Sequence, residues 1–205
     1  MTKILDVCKQ AMAEGLKIDL KGCSYGETTG CCPFIHRPTN YYHFLAGFIR
    51  TQRMKDILEI GTHFGGSIMS MSRGLSERHI PESTLVTVDI ISKNEDGFKA
   101  YPRVKRVRGD SLSEKAVAEA TGCFKGPIDL LYIDSVHEYE HTRNNMDIYG
   151  EKLDPKYVIL DDIRQCASMR ELWKDVVKKF GEMAFDASEI SIRKGAGFGV
   201  IKWRR

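Results

Sequence analysis

The chain has 205 residues, of which 42% are hydrophobic, and its 31 basic and 28 acidic residues leave a formal net charge of +3. This length and hydrophobic content suffice for one core, so we expect a single domain over residues 1–205. The near balance of charge argues against nucleic acid or an anionic membrane as an obligatory partner, and no run approaches the ~20 apolar residues that cross a bilayer. The N-terminal segment lacks the long apolar core of a signal peptide, and the six cysteines lack CxxC spacing. We therefore expect a cytoplasmic protein with reduced thiols.

The first 40 residues are predicted to form a helix followed by a loop. Residues 1–16 carry apolar residues spaced for one helix face, and residues 21–40 hold three glycines and two prolines. We interpret this second segment as a lid over a site. It contains four residues of zinc-binding type: Cys23, Cys31, Cys32 and His36. Because two of these cysteines are adjacent and none forms a CxxC pair, a zinc site is disfavoured.

From residue 41 onward, helix and strand patterns alternate, which predicts an α/β fold with a doubly wound, mostly parallel sheet and a terminal antiparallel strand pair. The predicted helices are 41–50, 67–78, 112–121, one ending near 153, and 168–180. The predicted strands are 57–60, 83–90, 104–108, 128–134, 157–163, 184–193 and 198–203. The very apolar strand 128–134 should be central. The basic strand 104–108 suits a sheet edge better than a nucleic-acid patch.

The segment KDILEIGTHFGGS, residues 55–67, indicates a strand, a glycine-rich loop and a helix, the geometry of a nucleotide or nucleoside cradle. A dinucleotide site needs a glycine where His63 stands and an acid about 20 residues on, whereas Asp89 lies farther away. A phosphate loop needs a lysine before Ser67. What remains, an acid at Glu59 followed by G-x-x-x-G-G-S, looks like the first motif of S-adenosylmethionine (SAM) methyltransferases; a plain packing turn is the alternative.

Polar residues end each predicted strand, where ligands of such sheets bind. Asp89 can accept both ribose hydroxyls of an adenosine, and Asp110 with Ser111 can hydrogen-bond the adenine edge. His63 is placed either against the methionine part of the cofactor or on a surface loop. The predicted cofactor-binding residues are Glu59, Gly61, Thr62, His63, Gly65, Gly66, Ser67, Asp89, Asp110 and Ser111. For any single aspartate, helix N-capping is the alternative.

Three acids, Asp134, Asp161 and Asp162, end two strands that should be neighbours. Carboxylates brought together repel one another unless a cation joins them, and oxygen ligands suit Mg²⁺ or Ca²⁺. The sequence therefore predicts a metal site at these acids, where the ion would lower the pKa of a substrate hydroxyl and orient it. One of the paired aspartates is alternatively a structural cap.

His137 begins the sequence HEYEH, which matches the H-E-x-x-H pattern of zinc proteases, with Asp147 in the place of a third ligand. The motif starts three residues after a buried strand with an acidic end, so we disfavour a protease. His137, together with Asp134, is predicted to be catalytic, since an unperturbed pKa near 6.5 suits a general base. His141 is predicted to be solvated or to cap the helix.

The motifs ILEIGTHFGGS, VTVDI, RGDS, IDLLYIDSVHEYEHTRNNMDIY and YVILDDI occur in this order. Over about residues 40–165 the chain resembles the SAM-dependent O-methyltransferases grouped with the cephalosporin hydroxylase, rhamnosyl O-methyltransferase and macrocin O-methyltransferase types. The resemblance implies a Rossmann-like fold, SAM as methyl donor, and Mg²⁺ held by Asp134, Asp161 and Asp162. It also implies substrates such as sugar or polyketide hydroxyls.

The resulting hypothesis is a Mg²⁺-assisted O-methyltransferase acting on a hydroxyl of a small molecule of sugar, polyketide or phenol type. Two alternatives remain open, a SAM-binding protein without catalysis and the zinc protease. Methylation of nucleic-acid bases is disfavoured, because the D/N-P-P-Y/F motif is absent and Asp134 is followed by Ser135 and Val136. The sequence leaves the acceptor and a homo-oligomeric state undetermined.

Overall fold

A computed structural model describes residues 3–23 and 40–204. The helices are α1 (Ile4–Gly15), α2 (Asn40–Gln52), α3 (Gly66–Gly74), α4 (Glu95–Phe98), α5 (Glu114–Thr121), α6 (Tyr139–Leu153) and α7 (Ala167–Phe180). The strands are β1 (Asp56–Ile60), β2 (Thr84–Asp89), β3 (Val104–Arg108), β4 (Leu130–Ile133), β5 (Tyr157–Asp161), β6 (Ala184–Asp186) and β7 (Phe198–Lys202). Most of the predicted lid, with Cys31, Cys32 and His36, lies outside the described residues. No helix in the described ranges is long and apolar enough to cross a membrane.

The strands form one seven-stranded sheet in the order β3-β2-β1-β4-β5-β7-β6. The first five strands of that order run parallel, and β7 runs antiparallel to both β5 and β6. This confirms the predicted fold class, with β4 at the centre and the basic β3 at an edge. The strand order reverses direction between β1 and β4, so the carboxyl ends of these two strands form the switch point where ligands of such sheets bind.

Helices cover both faces of the sheet, because the residues of the central strands are apolar on both sides. Along β1, Ile57 packs into the layer that contains α1, α2 and α3. Its neighbours Leu58 and Ile60 pack into the opposite layer, with α5, α6 and α7. Glu59 is the one charged residue of this strand interior, and it has no exposed surface.

The segment predicted as a strand over 184–193 is only a short strand, β6, followed by a loop over residues 187–197. Apolar residues alternate with polar ones here, which is why the pattern indicated a strand. The Asp186 carboxylate instead accepts hydrogen bonds from both the main-chain N–H and the hydroxyl of Ser188, and this turns the chain. The loop then passes back over the carboxyl end of β5, so it carries its side chains to the predicted metal site.

Candidate active site

A cavity of about 270 Å³ opens at the carboxyl ends of β1, β2, β3 and β4. It lies at the switch point of the sheet, the position expected of a ligand pocket. Six of the sequence-predicted site residues line it: Gly61, His63, Asp89, Asp110, Ser111 and Asp134. The remaining lining is largely apolar and includes Ile60, Val88, Ile90 and Val136. The cavity therefore combines an apolar wall with polar groups from four strand ends.

Gly61 lets the loop after β1 pass directly beside the end of β4. Its φ is +97°, and a Cβ at this position would stand 1.8 Å from the carbonyl oxygen of Asp134. The main-chain N–H of Asp134 in turn donates to the carbonyl of Ile60 at 2.8 Å. A side chain at position 61 would therefore separate the two strand ends that meet at the floor of the cavity.

Asp89 holds the glycine-rich loop in place. Its Oδ2 accepts hydrogen bonds from the main-chain N–H groups of Thr62, at 3.0 Å, and His63, at 2.8 Å. Its Oδ1 accepts one from the N–H of Ile91 at 3.0 Å. Sequence reasoning assigned this carboxylate to a ribose, with helix N-capping as the alternative, and the spacing along the chain gave no signal for its contacts with the loop.

Glu59 lies beneath the loop and not in the cavity. The hydroxyls of Ser67 and Thr87 both donate to its carboxylate, and the Thr62 and Thr87 hydroxyls lie 2.6 Å apart. Burial raises the pKa of Glu59 to about 8, although the two hydroxyl donors oppose that shift. Of the predicted cofactor-binding residues, five thus support the loop from below or form its turn without lining the cavity: Glu59, Thr62, Gly65, Gly66 and Ser67.

Asp110 and Ser111 form the cavity rim beyond β3. Asp110 is exposed, and its Oδ1 accepts a hydrogen bond from the N–H of Leu112 at 2.9 Å. The residue that caps helix α5 is Ser113, whose hydroxyl accepts from the N–H of Ala116. The capping alternative therefore belongs to Ser113, and Asp110 keeps a carboxylate oxygen at the edge of the cavity.

Beside the cavity, the three acids predicted as metal ligands come together around the guanidinium of Arg193 and the imidazole of His137. The guanidinium of Arg193 donates from Nε to Asp161 Oδ1 at 3.1 Å and from Nη2 to Asp161 Oδ2 at 3.0 Å. The same Nη2 donates to Asp162 Oδ1 at 2.9 Å. We call the five side chains involved the acid cluster: Asp134, His137, Asp161, Asp162 and Arg193.

His137 is the fifth member of the cluster, and it does not itself line the cavity. Its Nε2 lies 3.4 Å from Asp134 Oδ1 and 3.3 Å from Asp162 Oδ2. This nitrogen is buried, and neither contact has the geometry of a hydrogen bond. The Tyr132 hydroxyl donates to Asp134 Oδ2 at 3.0 Å. Asp134 both lines the cavity and contacts His137, and so it joins the cavity to the acid cluster.

The charges of the cluster act on one another. Burial lowers the pKa of His137, but the carboxylates of Asp134 and Asp162 outweigh burial, so its pKa is raised from the usual 6.5. Burial and the nearby Asp134 raise the pKa of Asp161, and the Arg193 guanidinium opposes that shift. The Asp161 and Asp162 carboxylates hold the pKa of Arg193 above its ordinary value, so this guanidinium stays charged.

The predicted metal ligands do not fit a metal ion in this arrangement. The oxygens of Asp161 and one of Asp162 are already taken by a guanidinium, and the other acid oxygens lie against His137 or Tyr132. Within residues 3–23 and 40–204, no group of three His, Cys, Asp or Glu side chains is arranged to hold an ion. Asp134, Asp161 and Asp162 do lie close together, as the sequence predicted. The positive charge that faces Asp161 and Asp162 is the guanidinium of Arg193.

The HEYEH sequence does not form the helix that the zinc-protease pattern requires. Helix α6 begins at Tyr139, so His137 lies before it and only His141 is on it. His141 Nδ1 is 3.1 Å from Asn145 Nδ2, and Asp147 accepts a hydrogen bond from Arg143 at 2.6 Å. The two histidines therefore do not project from successive turns of one helix toward a shared ion.

Arg193 is a residue of this site that sequence reasoning missed, and His141, predicted to be solvated or to cap the helix, lines the cavity. Arg193 lies far along the chain from the acids, in a segment whose alternation predicted a strand. Its guanidinium also lies over the ring of Tyr41, with 4.6 Å from Cζ to the ring centroid. No motif marks it, because its role depends on a loop that returns across the sheet.

Comparison with known proteins agrees with this geometry. A family model described as a methyltransferase domain matches residues 58–163, about half of the chain. No curated protein sequence matches the chain.

Solved structures with the same fold share little sequence with this chain. An O-methyltransferase from Bacillus cereus in complex with SAH is 18% identical, with a TM-score of 0.61 over 94% of this chain and 90% of that one. The O-methyltransferase TomG from Streptomyces achromogenes, in complex with SAM, is 15% identical, with a TM-score of 0.65 over 96% of each chain. The MycE methyltransferase of the mycinamycin biosynthetic pathway, with Mg and SAH, is 16% identical, with a TM-score of 0.56 over 91% of this chain and 55% of that one.

Proposed function

Because the chain belongs to the methyltransferase domain family, we propose that it is a SAM-dependent O-methyltransferase that acts on a hydroxyl group of a small molecule. The observation that carries this proposal is the placement of Asp134, which lines the cavity at the strand ends and lies 3.4 Å from His137 Nε2. A donor in the cavity and a base at His137 are thereby neighbours. The structures of similar fold with bound SAM or SAH support the choice of donor.

The cavity has the groups that an adenosine requires. Asp89 Oδ1 accepts one main-chain N–H, which leaves it free to accept a ribose hydroxyl as well. Ile90 is 63% exposed and follows Asp89 directly, so it offers apolar surface to the adenine ring beside the Asp110 and Ser111 rim. Gly61 and His63 lie at the other end, where the methionine part of SAM belongs in this proposal.

His137 is proposed to be the general base. The two carboxylates near Nε2 favour a proton on that nitrogen, which leaves Nδ1 as the acceptor in the neutral ring. The side chain is 27% exposed, so part of the ring is accessible to a substrate. In the proposed step the substrate oxygen forms a bond to the sulfonium methyl carbon, its proton moves to His137 Nδ1, and the methyl–sulfur bond breaks to release SAH.

The acceptor is proposed to be partly apolar. Val136 and Ile192, which precede His137 and Arg193 in the chain, are 48% and 53% exposed. Single exposed apolar residues are ordinary, but these two immediately precede members of the acid cluster and supply apolar surface there. MycE has been solved with mycinamycin VI bound. A sugar, polyketide or phenol hydroxyl fits this chemistry, and a cytoplasmic location remains part of the proposal.

Magnesium assistance, which the resemblance implies, has no step in this proposal, because Arg193 and His137 already contact the three acids.

Measurements of cofactor binding and of methyl transfer test the proposed function. The protein is titrated with SAM and with SAH by calorimetry, and labelled methyl transfer is then measured over a panel of sugars, phenols and polyketide alcohols. One site per chain and transfer to at least one hydroxyl are expected; the absence of any SAM or SAH binding would contradict the proposal.

A further inference from the structure

The guanidinium of Arg193 lies among the acids where the sequence predicted a metal cation, and it forms hydrogen bonds with both Asp161 and Asp162. It uses two nitrogens on Asp161, whose side chain has no exposed surface, and shares one of them with Asp162. A planar guanidinium matches a carboxylate in this two-point manner, which a lysine ammonium cannot do. The contact is therefore specific to arginine in its geometry and not only in its charge.

The protein holds this guanidinium from two further directions. The backbone of the 187–197 loop is fixed on both sides of Arg193: its N–H donates to the Ser188 carbonyl at 2.9 Å, and its carbonyl accepts from Gly197 N–H at 2.7 Å. From helix α2, the buried Tyr41 presents its ring to the guanidinium at 4.6 Å. Arg193 is thus enclosed by acids, by an aromatic ring and by its own loop.

The backbone next to Arg193 is strained. Ile192 has a φ of +58°, a left-handed conformation that a β-branched residue rarely adopts. Such a residue persists only where the surrounding structure enforces it, and it commonly marks a functional site. Here the unfavourable turn precedes the residue whose side chain enters the acid cluster, so the loop keeps this conformation together with the ion pairs.

A divalent ion and this guanidinium are alternatives in the cluster. Mg²⁺ needs oxygen ligands at about 2.0–2.1 Å in an octahedral arrangement. The Arg193 nitrogens donate hydrogen bonds to both carboxylate oxygens of Asp161 and to one of Asp162. The positive charge of the guanidinium also repels a second cation placed beside it. An ion would enter only if the guanidinium left a site that the loop and Tyr41 enclose.

We propose that Arg193 is the built-in counter-cation of the acid cluster, taking the position of the divalent ion, so that neither SAM binding nor methyl transfer in this protein requires a metal. This inference rests on the proposed function for its catalytic part and on geometry for the rest. Arg193 acts as a positioning residue: it holds Asp161 and Asp162, and Asp162 in turn contacts His137. The reaction itself is unchanged, with the proton moving to His137.

The test is a titration of the EDTA-treated full chain with MgCl₂ and MnCl₂, by calorimetry and by thermal unfolding, for wild type, Arg193→Gln, Arg193→Lys and the control Lys194→Gln. Lys194 is 68% exposed, and its replacement removes the same charge from the same loop. Wild type and Lys194→Gln are expected to show neither binding heat nor a metal-dependent rise in the unfolding midpoint. Arg193→Lys, which keeps the charge but not the two-point contact, is expected to bind no metal and to unfold at a lower temperature than wild type. Arg193→Gln is expected to unfold at lower temperature without metal and to recover with Mg²⁺.

A wild-type protein that binds one Mg²⁺ per chain, with binding lost in Asp161→Asn, would overturn the proposal. The wild-type titration decides the question even if Arg193→Gln does not fold. A SAM titration of the same EDTA-treated sample separates the two proposals. SAM binding together with a bound metal contradicts only the role of Arg193, whereas absent SAM binding contradicts the proposed function.

Discussion

A Cβ on Gly61 would stand 1.8 Å from the carbonyl oxygen of Asp134, so the loop after β1 and the end of β4 are in direct backbone contact. Gly61 also has a φ of +97°, which side-chain-bearing residues rarely adopt. Gly61 and Asp134 both line the cavity, and Asp134 also belongs to the acid cluster. A change in this backbone contact should therefore affect both the free energy of unfolding and the binding of SAM.

Replacing Gly61 with alanine is expected to destabilise the protein and to weaken SAM binding together. The added methyl group must push the loop away from Asp134, and strain at a positive φ adds to this, so we expect a loss of about 2 kcal/mol or more in unfolding free energy. Urea unfolding and SAM calorimetry measure the two effects. Gly126→Ala is the control, since a Cβ there meets nothing within 4 Å. Equal behaviour of the two variants would contradict the close approach.

Removing the Asp89 carboxylate should loosen the glycine-rich loop. Asp89→Ala leaves the N–H groups of Thr62 and His63 without their acceptor, and hydrogen bonds to charged groups contribute about 1.5–3 kcal/mol. We expect the Kd for SAM to rise at least ~10-fold, which corresponds to 1.4 kcal/mol. Asp89→Asn keeps one acceptor oxygen and should lose less. Asp96→Ala, at a side chain 92% exposed, should bind SAM like the wild type. Unchanged affinity in Asp89→Ala would refute this role.

Glu59 should make stability fall as pH rises. Its pKa is raised by burial from 4.5 to about 8, so between these values the folded protein holds a proton that the unfolded chain has lost. The native state therefore loses about 1.4 kcal/mol per pH unit across this window. Glu59→Gln has no such titration. In urea unfolding from pH 4 to 9, the variant's stability relative to wild type should increase up to about pH 8 and then level off. Parallel curves would show that Glu59 ionises normally.

His137→Ala is expected to abolish most catalysis without affecting the donor. General bases contribute about 10²- to 10⁴-fold in rate, so kcat should fall by at least ~100-fold while the Kd for SAM stays within about twofold. The control is His79→Ala, which lies before β2 at the opposite end of the sheet from the cavity. A variant that retains wild-type kcat would exclude His137 as the base.

The sequence predicted the sheet well because its strands are apolar and its helices are separated by clear breaks. Strand β3 was predicted over 104–108, where the structure has Val104–Arg108, and the convergence of Asp134 with Asp161 and Asp162 follows from parallel strands ending at one edge. Two features depend on tertiary contacts and were not predictable. One is the hydrogen bonding of Asp89 to the loop, and the other is the return of Arg193 across the end of β5.

The alternation that predicted a strand over 184–193 illustrates the limit of periodicity. Ile190 and Ile192 follow the pattern of a half-buried strand, but Asp186 and Ser188 form a turn that stops β6. A competing local hydrogen bond outweighs the hydrophobic pattern when the segment lies at the sheet edge, where one side of the strand has no neighbour to pair with. This turn is also what brings Arg193 to the acids.

The most direct test of the account is a calorimetric titration of the EDTA-treated wild-type protein with SAM. The cavity at the ends of β1 to β4, closed by Gly61 against Asp134 and by Asp89 against the loop, predicts one SAM per chain, with affinity that Mg²⁺ does not change. An EDTA-treated protein that binds no SAM, or that binds it only after a divalent ion is added, would contradict the account.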